Sequence, residues 1–123
     1  MAIASTQMTI EIARISKLIV QEKVSDGDLE KAISDLDAIK SSLHQPQAFL
    51  LRCSASKKLS SPEKRIVYIW SSFENGQNLL HASRDPDLVL QLRALTMELE
   101  QELINSGLQA KVQALIQRNS LQN

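Results

Sequence analysis

Aromatic side chains make up only 3% of these 123 residues, and the chain holds one cysteine, three glycines and three prolines. Each shortage excludes something. One cysteine, Cys53, excludes an internal disulfide framework and a Cys-rich zinc site. Few aromatics leave Leu, Ile, Val and Ala to build the core. No apolar run approaches the roughly 18–20 residues that cross a bilayer. Charge of one sign is missing too: 14 Lys and Arg balance 14 Asp and Glu, with a pI near 6.7. A bulk nucleic-acid binder needs a standing excess of cations, so that class is excluded. The first residues lack the basic start and apolar stretch of a cleaved secretion signal, because Glu11, Arg14 and Lys17 follow at once. The expectation is a cytoplasmic protein, with export by a specialised route that reads no such signal left open.

What is present is helical periodicity. Apolar residues make up 43% of the chain, enough for a core, and the length suits one domain over residues 1–123. Met8, Ile12, Ile15 and Ile19 recur at spacings of three and four, as do Leu29, Ala32, Leu36, Ile39 and Leu43. Ile66, Ile69, Trp70 and Phe73 share a face, and Leu88, Leu92, Leu95, Leu99 and Leu103 form the cleanest stripe. Leu108, Val112 and Leu115 extend it past Gly107. No window alternates with the period of a strand. The prolines punctuate this pattern: Ser61 before Pro62 and Asp85 before Pro86 are suited to cap helix starts. The spacing predicts helices over 6–24, 28–44, 47–59, 62–82 and 86–118, with Ser106-Gly107 the point at which the last either breaks or runs on, and a frayed polar tail over 119–123. Short connections predict an all-α fold, a single-domain antiparallel bundle of about five helices. Ser54, Ser56 and the lysines dilute the pattern of the third helix. Ser25-Asp26-Gly27-Asp28 reads as a turn ahead of the second.

Chemistry is thin. A Cys–His pair would have to join Cys53 to His44 or His81, and nothing in the spacing places them together. Cys53 reads as a helix-packing residue and the histidines as surface or helix-end cations. Asp26, Asp28 and Glu30 resemble the start of a calcium loop, but Gly27 is misplaced and no ligand series follows. Glu98, Glu100 and Glu102 alternate around a helix and share no single face. No catalytic residue, metal site or cofactor is expected. The basic group Arg52, Lys57, Lys58, Lys64 and Arg65, interleaved with serines, could grip a phosphate, an acidic partner or nucleic acid. It contains no aromatic residue for base stacking and reads first as a solvated corner. Trp70 and Phe73 read as core; Tyr68 points away from them and is the better surface candidate. The Leu92, Leu99 and Leu103 face fits either an intramolecular core or a coiled-coil seam with another chain.

The C-terminal third runs Asp85-Pro86-Asp87-Leu88-Val89-Leu90-Gln91-Leu92, then Met97 to Ser106 with its Leu and Gln, then Ala110-Lys111-Val112-Gln113-Ala114-Leu115-Ile116. It resembles the C-terminal helical region of inner-rod and needle subunits of bacterial type III secretion systems, with an Asp-Pro start, a Leu- and Gln-rich helix, a small polar break and a final amphipathic helix. The resemblance implies export without a cleaved signal and polymerisation through the C-terminal helices. The apolar middle around Trp70 and Phe73 departs from that family's largely mobile N-terminal half. The residues themselves point first to a non-enzymatic helical module that binds another protein: an adaptor, a secretion chaperone or an inhibitor. Alternatives are a subunit of a secretion apparatus and a phosphate or nucleic-acid binder using residues 52–65. Self-association through the C-terminal helix fits the first two.

Overall fold

A computed structural model describes residues 2–39 and 44–121 of the chain. The fold is all-α. Among the described residues there are six helices: α1 (Ala2–Ile19), α2 (Asp26–Asp37), α3 (Gln45–Lys58), α4 (Pro62–Ala82), α5 (Pro86–Asn105) and α6 (Gln109–Leu121). The sixth arises because the last predicted helix does break at Gly107. The chain divides into two compact units, residues 1–65 and 66–123, with the boundary inside α4.

In residues 1–65, α3 packs on both α2 and α1, and α1 also meets α2. Ile12, Ile15 and Ile19 of α1 and Leu29, Ala32 and Leu36 of α2 are buried, as their spacing predicts, and Ile33 is buried beside them. Leu43, the last residue of the predicted α2 stripe, lies outside the described residues. α3 buries Ala48, Phe49, Arg52, Cys53, Ala55 and Ser56, an arc wider than one stripe. Its small residues are what let it serve two neighbours at once. Ser56 tolerates burial because its hydroxyl donates to the Arg52 carbonyl at 2.8 Å.

The helix ends differ from the spacing-based reading in instructive ways. α2 starts two residues early, at Asp26, because Ser25 caps it by accepting the Asp28 amide at 3.1 Å. The Ser-Asp-Gly-Asp sequence is thus a cap and first turn, not a separate turn. α2 ends at Asp37, seven residues short of expectation, where the Ala38 amide is shared among the carbonyls of Ser34, Asp35 and Leu36. α1 stops at Ile19, five residues early. His44 does not end a helix: it is the buried residue ahead of α3, with Pro46 in the first turn. Position 44 is therefore an N-terminus, where a cation gains nothing from the helix dipole.

In residues 66–123, the buried faces are Ile69 and Phe73 of α4, Leu92, Thr96, Leu99 and Leu103 of α5, and Val112 and Leu115 of α6. α5 packs on α6. Asp85 caps α5, accepting the Asp87 amide at 3.1 Å, and Ser61 accepts the Lys64 amide at 3.4 Å at the head of α4. Of the predicted tail, residues 119–121 are helical in backbone, and Gln122 and Asn123 lie outside the described residues.

Candidate functional site

The basic group comes apart when its side chains are followed. Arg52 is buried in α3 and donates from Nε to Asp37 Oδ1 at 2.8 Å and from Nη2 to Asp37 Oδ2 at 3.2 Å, a two-pronged pair. Lys58, the last residue of α3, donates to the carbonyls of Ile19 and Gln21. A helix leaves its final carbonyls unpaired, and an ammonium is well suited to collect them. The contact holds the end of α1 to the end of α3. Lys64 lies 3.6 Å from Glu30 of α2. Lys57 and Arg65 are half-buried. At least three of the five cations therefore bind within residues 1–65, mostly to the acids of α2.

The faint calcium-loop sequence meets a similar end. Asp26 accepts the Ser60 amide at 2.8 Å, the Ser60 hydroxyl at 2.9 Å and the Ser61 amide at 3.1 Å. These donors, the Ser60 amide first, hold the Asp26 carboxyl below its ordinary value. Asp26 and Lys58 thus fasten the turn after α1 to the turn after α3 by opposite charges. On the outer side of α1, Arg14 pairs with Glu11, whose carboxyl is lowered by that hydrogen bond, and reaches Asp35 at 3.1 Å, which Lys31 also meets at 3.1 Å.

Cys53 is buried and its thiol is not in a disulfide. His44 stands nine residues before it, about 13 Å along the α3 axis, too far for thiol activation. His81 is exposed in the last turn of α4. Among the described residues, no three His, Cys, Asp or Glu side chains gather as metal ligands, and no helix is long and apolar enough to cross a membrane.

The apolar candidates are placed as follows. Leu92, Leu99 and Leu103 are 2%, 0% and 0% exposed, so this stripe packs within its own chain. Tyr68 is half-buried. Trp70, read as core from its spacing, is half-buried too; only Phe73 is fully enclosed. The two rings lie 6.1 Å apart at 43°, so Phe73 braces Trp70 from beneath. Trp70, Ile66 and Val67 of α4 line an open cleft of about 380 Å³ with Leu108 and Lys111. Val67 is 64% exposed there.

Gly107 builds the far wall. Its φ of 87° is a conformation in which a Cβ is strained. The Leu108 amide donates to the Leu103 carbonyl and the Gly107 amide to the Ile104 carbonyl, each at 3.0 Å. That pair of bonds is a Schellman closure, which turns the chain sharply and sets Leu108 against the cleft. Val67 and Leu108 were not singled out as site residues from sequence; the signal was Gly107 itself, one residue past a Leu-rich helix. The arrangement offers apolar walls, one aromatic plane and one ammonium, which suits binding rather than bond-making. A second apolar hollow, lined by Met8, Ile10 and Ile39 with Gln7 and Glu11, lies on α1. The chain matches no protein-family model, no curated protein and no solved structure.

Proposed function

We propose that this protein is a non-enzymatic helical interaction module, acting as an adaptor, secretion chaperone or inhibitor, that receives an apolar side chain of a partner protein in the Trp70 cleft. The carrying observation is that Val67, 64% exposed, and the half-buried Trp70 form an apolar wall open to solvent beside Leu108 and Lys111, with Phe73 enclosed behind the indole. An apolar wall with an aromatic ring is the usual chemistry of a binding hot spot, and Lys111 favours a carboxylate next to the entering side chain. The short turns support an antiparallel arrangement of successive helices within each unit. A reducing cytoplasm suits the buried thiol of Cys53.

A subunit of a secretion apparatus is the second reading. Its support is the resemblance of the C-terminal third, together with the helix–glycine break–helix order of α5 and α6. Phosphate or nucleic-acid binding through residues 52–65 ranks last, since Arg52, Lys58 and Lys64 already have partners within the chain.

The test is affinity capture from the native host with tagged wild type and a Val67→Glu variant. Val67 is exposed, so the variant keeps its fold. A stoichiometric protein held by wild type and lost with Val67→Glu and with Lys111→Glu supports the reading. Capture that neither change weakens, or no stoichiometric protein at all, overturns it.

A further inference from the structure

α5 is apolar on two opposite faces. At about 100° per residue, Leu92, Thr96, Leu99 and Leu103 point inward, and all four are buried. Leu90, Ala94, Met97 and Gln101 fall in a narrow band on the other side, and all four are exposed. Leu90 is 67% exposed and Met97 59%, although the helix has its core contacts without them. Two large apolar residues one heptad apart on a satisfied helix mark a seam for another helix.

We propose that this outer face of α5 pairs antiparallel with the same face of a second copy of the chain. The face is complementary to itself in charge. Arg93 and Glu100 both lie on one flank of the band, seven residues apart, or about 10 Å along the axis. A two-fold axis perpendicular to a pair of antiparallel helices brings like flanks together. With that axis between residues 96 and 97, Arg93 of each copy faces Glu100 of the other, so one flank closes two ion pairs. The same register sets Met97 against its counterpart. It rests Leu90 between Gln101 and the half-buried Ile104. A parallel pair would instead set Arg93 against Arg93. An unrelated helix would need to supply both charges at this spacing, whereas a second copy already does. Glu98 lies on the opposite flank, where two copies bring carboxylates together, so association is modest and salt-sensitive. This surface is separate from the Trp70 cleft and uses none of its residues.

Sedimentation across a concentration series tests the proposal. Wild type is expected to move from monomer to dimer and no further. Leu90→Arg and Met97→Arg, both at exposed positions, are expected to stay monomeric with unchanged helicity and melting temperature. Arg93→Glu alone and Glu100→Arg alone each weaken the dimer about tenfold or more. An equimolar mixture of those two variants restores it, since each copy then faces its opposite charge, and Glu98→Gln tightens it severalfold. A wild type that stays monomeric throughout overturns the proposal. So does a dimer that survives Met97→Arg, or a mixture no tighter than the single variants. A ladder of larger species also overturns the closed pairing, and points to head-to-tail assembly.

Discussion

Residues 1–65 and 66–123 are both built from amphipathic helices, yet they are held by different chemistry. In the first, polar side chains reach from one helix to another: Arg52 to Asp37, Lys58 to the end of α1, Asp26 to Ser60 and Ser61, Lys64 to Glu30. In the second, three side chains of α5 and its C-cap turn back on the helix itself: Thr96 to the Leu92 carbonyl, Ser106 to the Glu102 carbonyl, Gln101 to Asn105. Its packing rests on leucine, valine and phenylalanine. Directional clasps in residues 1–65 add to an apolar core of Ile15, Leu29, Ile33 and Phe49. α5 and the Trp70 cleft carry further apolar surface outward, as Ile10, Val20 and Leu50 do in residues 1–65. The difference lies in how the helices are tied together, not in how much apolar surface each part exposes.

Leu99→Ala is the severest way to break that contrast. It removes a fully buried side chain from the leucine face, and a loss of about 3 kcal/mol is expected. Urea unfolding followed by the fluorescence of Trp70, the sole tryptophan, reads it. A loss below 1 kcal/mol would show that this face is not the core of residues 66–123. Asp37→Ala tests the other region. The Arg52 side chain is 8% exposed and Asp37 54%, so the guanidinium is left buried while the removed carboxylate was half in water. After discounting for that screening, about 1–2 kcal/mol is expected. Arg52→Met, which removes the buried charge along with its partner's role, should cost less than Asp37→Ala. The reverse order would mean that the clasp contributes binding energy rather than specificity.

The helices of residues 66–123 were easy to read because apolar periodicity and Asp-Pro or Ser-Pro starts carried the same message. α4 begins and ends as its spacing predicts, and α5 starts at Pro86. Two things were hidden. Contacts at helix ends leave no local mark: Lys58, far along the chain, meets the Ile19 carbonyl that ends α1 and the Gln21 carbonyl beyond it. Charge patterns do not say which charges are satisfied internally, so the 52–65 group reads as a surface although Arg52 is buried. The site was half legible. Trp70 stood out by type, but whether a helix face is covered is decided by its neighbours, and the outer band of α5 was masked by the stronger Leu92–Leu103 stripe beside it.

Gly107→Ala sharpens the contrast at a single turn. No neighbouring atom lies within 4 Å of the new Cβ, so the cost is backbone strain alone, about 1 kcal/mol. Gly107→Asn should cost less, because asparagine tolerates the left-handed region. If the turn also positions Leu108, partner capture weakens more with alanine than its stability loss accounts for. Equal melting temperatures for alanine and wild type would show that α5 and α6 are joined without the Schellman closure.

The smallest expected effect belongs to Asp26 and appears only in acid. The Ser60 amide, then the Ser60 hydroxyl and the Ser61 amide, hold its carboxyl below the ordinary 3.8 when the protein is folded. A carboxyl lowered by folding adds stability that is fully present above its unfolded value and is lost as pH falls through the folded one. Glu11, lowered from 4.5 through its bond with Arg14, acts in the same direction. The expected outcome is a melting temperature that declines as pH drops below about 4, with a shallower decline for Asp26→Asn. The asparagine amide still offers a carbonyl to the Ser60 amide, so the variant loses charge but keeps one acceptor. At neutral pH it should therefore melt only slightly below wild type. An acid slope identical in the two proteins would mean that the Asp26 clasp adds nothing when charged, and the polar fastening of residues 1–65 would then rest on Arg52 and Lys58.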